Sequence, residues 1–197
     1  NDLPTGQKGF VPTPNFYDRI YGKNRWKSLT NLSLSIGQDA LLTTPIQMAN
    51  MTAAIANRGY YYTPHIVKSI ENDSIDDRFR KPVRTMIDSS LFEIVIKGMQ
   101  EVVEDEELGT SNIAKMENIT VCGKTGTAQN PHGEDHSIFI GFAPKDNPKI
   151  ALAVYVENGG WGSTWAVPIA SLMIEKYLND IIERDWLEKK IAKGVIE

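Results

Sequence analysis

The sequence contains one cysteine and lacks any long hydrophobic run. A single thiol, Cys122, cannot form a disulfide within the chain, which excludes a small scaffold held together by disulfides. No apolar stretch approaches the roughly 20 residues that a transmembrane helix needs, and no signal peptide opens the chain. Internal repeats and low-complexity segments are absent as well. These absences indicate an ordinary globular protein, either one domain or part of a larger one.

The charge balance bears on whether the protein binds nucleic acid. With 21 basic and 25 acidic residues, the formal net charge is −4, which gives no reason to expect a nucleic acid partner. Hydrophobic residues occupy 41% of the 197 positions and charged residues 23%, as is normal for a protein with a buried core. The composition therefore predicts a folded core, and any function has to be inferred from motifs.

The most informative motif is the stretch Gly123–Ala128, with the sequence GKTGTA. It follows a short apolar run at 119–122, which predicts the end of a strand. The lysine supplies a point positive charge, the two threonines supply hydroxyl donors, and the two glycines let a ligand approach the backbone closely. We therefore predict an anion-binding strand edge whose site residues are Lys124, Thr125, Gly126 and Thr127.

A phosphate-binding P-loop also ends in Gly-Lys-Thr, so it is the first alternative to consider. That loop requires a glycine five residues before its Gly-Lys pair, and Asn118 stands there instead. It also requires a helix to begin at the lysine, whereas Pro131 and Gly133 indicate a loop shortly after the motif. Both departures argue against a nucleoside triphosphatase. A solvated edge strand with no ligand is the remaining simple interpretation.

Periodicity predicts two helices before the motif. Thr44, Pro45 and Gln47 suit a helix start and Gly59 suits its end, so a helix is expected over about 45–57. It is apolar almost all round, which predicts full burial. A second helix starts at Asp88 and ends in the acidic run 101–107. Its predicted apolar stripe is Leu91, Ile94, Val95, Met99, Val102 and Val103. Between the helices, 60–70 reads as a strand and 71–80 as an exposed loop.

After the motif, the pattern predicts a hairpin and a long helix. The runs 138–142 and 150–156 are apolar and are joined by a Pro-containing turn, and both look buried on both faces. A helix is then expected over about 164–190, with inward residues Ile169, Leu172, Met173, Tyr177, Ile181 and Trp186. Residues 1–28 read as irregular but rich in rings, so we expect them to pack onto other residues, such as a segment further upstream. The predicted class is α/β (α+β), an antiparallel sheet flanked by helices.

In order and spacing, these patches resemble the C-terminal half of a class B penicillin-binding protein transpeptidase domain. The Lys124-Thr125-Gly126 tripeptide is similar to that family's Lys-Thr-Gly box, and the strands at 137–142 and 149–157 are similar to the two that follow it. Ile36-Gly37-Gln38 and the stretches 42–49 and 56–59 match the region between boxes. Early features such as Val11-Pro12-Thr13-Pro14 favour the cell-elongation branch, the penicillin-binding protein 2 type. The resemblance covers nearly the whole chain.

The resemblance implies a partial penicillin-binding-protein/β-lactamase-like transpeptidase fold and a D,D-transpeptidase activity. A serine would attack the D-Ala-D-Ala end of a peptidoglycan stem peptide, and β-lactams would trap that serine. Lys124 and Thr127 would then be catalytic, with Thr127 lending its backbone N–H to the oxyanion hole. Lys124, Thr125, Gly126 and Thr127 would bind the substrate along the strand. The cell-elongation machinery would be a partner, and the inner membrane, facing the periplasm, the location, although no membrane segment lies in this chain.

One departure from the family is decisive for activity. The family also needs a Ser-x-x-Lys box and a Ser-x-Asn box, yet no serine here has lysine three residues later or asparagine two residues later. We therefore interpret residues 1–197 as the C-terminal portion of a single transpeptidase domain, processed or excised since it begins at Asn1, and inactive alone. A serine β-lactamase, a D,D-carboxypeptidase of the same fold and an inactive interaction domain remain alternatives.

Other residues with reactive or ligating side chains carry weaker signals. Cys122 has no surrounding motif, so an inert packed thiol is expected. His132 and His136, beside Glu134 and Asp135, could suggest a metal, but the spacing lies in a loop and a polar loop is expected instead. His65 follows a proline and is expected to be structural. No metal or cofactor is predicted.

Overall fold

The computed structural model describes residues 2, 6–71 and 73–194. The chain divides into two compact units. The smaller unit comprises Thr5–Thr44, and the larger comprises Asn1–Pro4 together with Pro45–Glu197. Among the described residues, no helix is long and apolar enough to cross a membrane.

The smaller unit contains two short helices, α1 (Pro14–Tyr21) and α2 (Ser28–Ser35). Thr13 begins α1, because its hydroxyl accepts the Phe16 N–H at 3.3 Å and proline occupies the first helical position. The prediction of irregular structure over 1–28 was therefore wrong at Pro14–Tyr21 and at Ser28, whereas residues 2, 6–13 and 22–27 lie outside the helices and strands; residues 1 and 3–5 lie outside the described residues. The rings pack on one another within this unit, in the pairs Phe10–Phe16, Phe16–Tyr17, Tyr17–Tyr21 and Tyr17–Trp26.

The larger unit holds a three-stranded sheet between helices. Its elements are α3 (Pro45–Ala56), β1 (Tyr60–Tyr61), α4 (Asp77–Arg80), β2 (Val83–Arg84), α5 (Ser89–Glu104), a 3-10 turn (Asn112–Ala114), β3 (Cys122–Ala128), β4 (His136–Ala143), β5 (Ile150–Val156), α6 (Ala166–Asn179) and α7 (Asp185–Ala192). The main sheet has the order β3-β4-β5 and both of its pairs are antiparallel. The expected antiparallel sheet flanked by helices is confirmed.

The sheet buries a core on each face. One face presents Val121, Phe139, Leu152 and Val154 to α6, to the end of α5 and to the 3-10 turn. The other face presents Cys122, Phe142 and Ala151 to α3 and α5, where Phe92, Ile96 and Met99 meet them. Because side chains alternate along an extended chain, the adjacent residues Val121 and Cys122 pack into different cores.

The two helices before the sheet begin and end close to their predicted positions, but their buried faces differ from prediction. In α5 the buried residues are Phe92, Ile96, Met99 and Val103, whereas Leu91, Ile94 and Val95 are exposed. Both sets have helical spacing, and contact with the sheet selects the first. In α3, Met51 is 51% exposed, so full burial was wrong; the buried positions are Thr52, Ala54 and Ala56.

The segment between those helices is mostly irregular. Only Tyr60–Tyr61 of the predicted strand is extended in a sheet, where it pairs with Val83–Arg84. Within the predicted loop, Asp76 caps the short helix α4 by accepting the Arg78 N–H at 2.9 Å. Asn72 lies outside the described residues.

The C-terminal helix is divided into two. Helix α6 ends at Asn179, Asp180 has the left-handed φ of 62°, and α7 begins at Asp185. Neither proline nor glycine marks the break, so periodicity did not predict it. Among the predicted inward residues, Leu172 is buried, whereas Met173, Tyr177, Ile181 and Trp186 are exposed.

The β4–β5 hairpin is confirmed. Tyr155 on β5 is 38% exposed, so the prediction that both faces of this strand are buried was wrong there.

Candidate active site

The predicted site strand is β3, and it lies at an edge of the main sheet. In the described part of the chain, β3 pairs only with β4. The register sets Lys124 opposite Ile140, Thr125 opposite Phe139 and Thr127 opposite Ser137. This confirms the predicted antiparallel hairpin and leaves the outer side of β3 as a sheet edge. No helix begins at Lys124, so the P-loop alternative is excluded.

The inner end of β3 is fixed by packing. Cys122 and Gly123 are buried, and Gly123 stands opposite Gly141. The ring of Phe139 fills the space beside both glycines. A Cβ atom on Gly123 would lie 2.1 Å from Phe139 Cζ, and one on Gly141 would lie 2.6 Å from Phe139 Cε1. Gly123 therefore lacks a side chain to admit a core ring, and the prediction that it admits a ligand was wrong.

Lys124 is the first exposed residue of β3. Its side chain starts on the α3 and α5 face, because it alternates with the neighbouring threonines. Its Nζ nevertheless reaches the strand edge, where it donates to the Thr125 carbonyl at 2.9 Å and lies 3.5 Å from Thr125 Oγ1. An ammonium group and a hydroxyl group thus converge on one point of the edge, as an anion site requires.

Thr125 has a partner that the sequence did not suggest. Its Oγ1 lies 3.0 Å from the Oγ1 of Thr110. Thr110 belongs to the loop after α5, which is held near its ends. The Ser111 N–H donates to the Val102 carbonyl at 3.0 Å, and the Asn112 Nδ2 donates to the Asp105 carbonyl at 2.6 Å. This loop therefore presents a second hydroxyl to the site.

Asp105 shapes the beginning of that loop. Its carboxylate accepts the N–H groups of Leu108 and Glu107, each at 2.9 Å. The hydrogen bond from the Leu108 N–H contributes most, and with the one from Glu107 it holds the pKa of the Asp105 carboxyl below its ordinary value. Part of the acidic run at 101–107, expected to be solvated surface, thus orders the loop that carries Thr110.

Thr127 is bound by the loop between β5 and α6. The Gly162 N–H donates to Thr127 Oγ1 at 3.3 Å. Gly162 rests directly on the β-ladder, since a Cβ atom there would lie 2.6 Å from the Gly126 carbonyl oxygen and 2.8 Å from that of Ile138. The buried Ser137 hydroxyl donates to the Gly162 carbonyl at 3.2 Å and accepts the Ala166 N–H at 3.1 Å. One hydroxyl therefore joins the strand, this loop and the start of α6.

The loop between β3 and β4 is organised by Asn130. Its N–H donates to Asp135 Oδ1 at 3.1 Å and its Nδ2 donates to Asn158 Oδ1 at 2.8 Å. His136 Nδ1 accepts the Asn158 N–H at 3.1 Å. Over residues 2, 6–71 and 73–194, no group of three or more His, Cys, Asp or Glu side chains is placed to hold a metal ion.

The remaining sequence candidates have structural roles. Cys122 is fully buried, and this burial raises the pKa of its thiol to about 12. A thiol that stays protonated is a poor nucleophile. His65 packs against Phe79 with ring centroids 4.9 Å apart, and its Nδ1 lies 2.8 Å from the Val67 carbonyl.

The chain is similar to known proteins along most of its length. A family model described as the penicillin binding protein transpeptidase domain matches residues 2–175. The peptidoglycan D,D-transpeptidase MrdA of Haemophilus influenzae is 34% identical over 188 residues, covering 86% of this chain and 29% of that protein. The Acinetobacter baumannii MrdA is 31% identical, covering 84% of this chain and 27% of that protein.

Two solved structures share the fold. The Pseudomonas aeruginosa PBP2 in complex with WCK 5153 has a TM-score of 0.75 at 33% identity, covering 90% of this chain and 39% of that one. The PBP2–MreC complex from Helicobacter pylori gives a TM-score of 0.74 at 27% identity, covering 89% of this chain and 32% of that one. The chain thus spans about three tenths of the length of the MrdA relatives that it matches.

Proposed function

The chain belongs to the penicillin-binding protein transpeptidase family, and from this premise we propose that residues 1–197 form the C-terminal part of a peptidoglycan D,D-transpeptidase domain of the cell-elongation type. One observation carries the proposal. At the outer edge of β3, Lys124 Nζ and Thr125 Oγ1 lie 3.5 Å apart beside the Thr125 carbonyl. This pair can receive the terminal carboxylate of a stem peptide.

The edge of β3 suits a peptide that binds as an added strand. An extended peptide gains affinity from main-chain hydrogen bonds and specificity from alternate side chains. The backbone groups of alternate strand residues point to the same side. The Thr127 N–H therefore shares its side of the strand with the Thr125 carbonyl, which Lys124 Nζ contacts. A substrate laid along this edge would place its terminal carboxylate near Lys124 and its reacting carbonyl near Thr127.

The reaction that follows is an acyl transfer in which this chain supplies electrostatic groups. A serine outside residues 1–197 would attack the D-Ala-D-Ala carbonyl, release D-Ala and pass the acyl group to an amine of a neighbouring stem peptide. The Thr127 N–H would donate to the developing oxyanion, an interaction of the kind that contributes about 3 kcal/mol. Lys124 would attract the substrate carboxylate and support the serine–lysine pair. Thr125 and Thr127 would bind the carboxylate through their hydroxyls.

The same membership supports a proposal for the partners and location of the full-length protein. The H. pylori PBP2 is solved with MreC, and a penicillin-binding protein A of Mycobacterium tuberculosis is solved as an imipenem acyl-enzyme. By analogy, the full-length protein works with the cell-elongation machinery and is acylated by β-lactams. Its catalytic domain faces the periplasm from the inner membrane.

The substitution Lys124→Ala in the full-length protein tests the proposal. The Lys124 side chain is exposed, so we expect acylation by a fluorescent penicillin to slow at least about 100-fold while the thermal midpoint stays unchanged, a barrier increase of about 2.7 kcal/mol. Lys149→Ala is the matched control, because Lys149 is exposed at the far side of the sheet, before β5. Unchanged acylation in Lys124→Ala would remove this lysine from the site.

The isolated chain offers a second test. Because it lacks both serine boxes, incubation with the same penicillin should give no covalent adduct by denaturing gel or mass spectrometry. A stoichiometric adduct on any serine of residues 1–197 would contradict the interpretation as one portion of the domain.

A further inference from the structure

A largely buried ion pair lies on the α6 side of the sheet, away from the residues assigned to the site. The side chains of Glu175 and Arg184 are 4% and 18% exposed, and Arg184 Nε donates to Glu175 Oε2 at 3.0 Å. The other carboxylate oxygen, Oε1, accepts the N–H groups of Glu183 and Arg184 at 2.9 and 3.2 Å. The pair thereby fixes the turn between α6 and α7.

Arg184 also reaches a part of the chain 71 residues away. Its Nη1 donates to the Ile113 carbonyl at 2.8 Å, and its Nη2 donates to the Ser171 carbonyl at 3.2 Å. A single planar guanidinium, carried by the α6–α7 turn, therefore bonds both α6 and the 3-10 turn Asn112–Ala114. Lysine could satisfy the charge of Glu175, but it lacks the fork of donors that makes these contacts together.

The 3-10 turn is the far end of the loop that carries Thr110. Towards α5, the loop is tied by the Ser111 N–H to Val102 and by Asn112 Nδ2 to the carbonyls of Val103 and Asp105. Beyond them, Arg184 binds the carbonyl of Ile113, three residues after Thr110. The Thr110 hydroxyl, which contacts the Thr125 hydroxyl at 3.0 Å, thus lies in a segment whose far end depends on the ion pair.

We propose that Arg184, held by Glu175, is a positioning residue for the anion site, acting through the Ile113 carbonyl and Thr110 on Thr125. The inference rests on the proposed function of Lys124 and Thr125. Coupling between separated residues is carried by packed and hydrogen-bonded networks, and it is demonstrated only when two changes are found to be non-additive. The chain of contacts from Glu175 to Thr125 supplies such a network, and each of its links is a hydrogen bond or a few residues of backbone.

The experiment is a double-mutant cycle in the full-length protein, read as the acylation rate constant with a fluorescent penicillin well below the melting temperature. Arg184→Ala and Thr110→Val should each slow acylation about 10-fold. Together they should slow it little more than either alone, because both act on Thr125 through one route. Arg184→Lys should recover thermal stability but not the rate, because it restores the charge without the contact to Ile113.

Leu187→Ala is the stability-matched control. Leu187 is fully buried in α7, so its truncation should lower the melting temperature and leave the acylation rate unchanged. Should Arg184→Ala fail to fold, Arg184→Lys carries the same cycle with Thr110→Val. Multiplicative effects of Arg184 and Thr110, or a wild-type rate in the Arg184 variant, would overturn the inference.

Lys124→Ala distinguishes a failure of the positioning role of Arg184 from a failure of the proposed function. If Lys124→Ala abolishes acylation while the Arg184 variants behave as wild type, only the positioning role fails. If Lys124→Ala has no effect, the proposed function itself fails.

Discussion

The two ends of β3 differ in what surrounds them, although they belong to one seven-residue strand. At the inner end, Cys122 and Gly123 are buried, and Phe139 occupies the space beside Gly123. From Lys124 onward the strand is exposed or half-buried, and its side chains contact loops through polar atoms. The inner end sets where the strand lies, and the outer end presents the groups that a ligand would meet.

The two glycines of the motif show the difference most clearly. A Cβ atom on Gly123 would lie 2.1 Å from the Phe139 ring, whereas one on Gly126 would lie 3.4 Å from Ile138 Cβ, an ordinary contact. Glycine therefore occupies these two positions for different reasons. At position 123 glycine is needed for packing, and at position 126 it leaves the strand surface flat beside the proposed anion site.

The largest effect on stability is expected at the inner end, from Gly123→Ala. The added methyl group would overlap the Phe139 ring, which is itself fully buried and cannot move without disturbing the core. Overpacking of this kind costs about 3 kcal/mol, or roughly 10 °C in the melting temperature for a domain of this size. Thermal and urea unfolding of the full-length protein would measure it. A change below about 1 kcal/mol would show that the ring yields and would weaken the comparison.

Much of the secondary structure could be predicted from the sequence, but the buried faces of the helices could not. Strands β3, β4 and β5 and the helices α3 and α5 lie close to their predicted positions, because alternation, caps and turns are local signals. The buried stripe of α5 was missed, because Leu91, Ile94 and Val95 compete at helical spacing with Phe92, Ile96 and Met99. Only the docked sheet selects between two such stripes.

The candidate site could be predicted only where it is contiguous in sequence. Lys124, Thr125 and Thr127 were predicted from one hexapeptide, and their role in binding stays a prediction. Their supports, Thr110 and Gly162, come from 15 and 35 residues away along the chain, and neither belongs to a recognisable local pattern. The Arg184 contact to Ile113 spans 71 residues. Contacts of this range depend on how the elements pack, which periodicity does not encode.

The second largest effect is expected at the outer end, from Gly162→Ala. A methyl group there would meet the carbonyls of Gly126 and Ile138, so the β5–α6 loop would have to lift and lose its contact with Thr127. We expect acylation by penicillin to slow about 10-fold, equivalent to about 1.4 kcal/mol. Gly160→Ala is not a matched control, because Gly160 has the left-handed φ of 68°. Ser163→Ala, one residue further, leaves the glycine in place and should retain the rate. Equal rates in Gly162→Ala and wild type would contradict the role of this loop.

A smaller effect is expected from the Cys122 thiol at alkaline pH. Burial raises the pKa of this thiol to about 12, whereas an unfolded cysteine ionises near 8.5. A pKa that is higher in the folded state gives stability that is complete below the unfolded pKa and is lost as pH rises towards the folded one. The domain should therefore lose about 1 kcal/mol between pH 8 and 9.5 through this group.

Urea unfolding at several pH values, compared between wild type and Cys122→Ala, isolates that contribution. The variant should be less stable at pH 7 because it leaves a small cavity, yet its stability should fall less steeply above pH 8. Parallel pH profiles for the two proteins would mean that the inner end of β3 admits water around the thiol.

The smallest effect on stability is expected from Gly126→Ala, the counterpart of Gly123→Ala at the outer end. Its methyl group would touch Ile138 at an ordinary distance, and alanine restricts the unfolded chain more than glycine does. We expect the free energy of unfolding to change by less than about 0.5 kcal/mol, within the range of ordinary surface substitutions. The acylation rate should fall more than the stability, because the methyl group stands beside Lys124 on the strand that is proposed to receive the substrate. If Gly126→Ala destabilised the domain as much as Gly123→Ala, the outer end of β3 would be packed as tightly as the inner end. The functional division of the strand would then be lost.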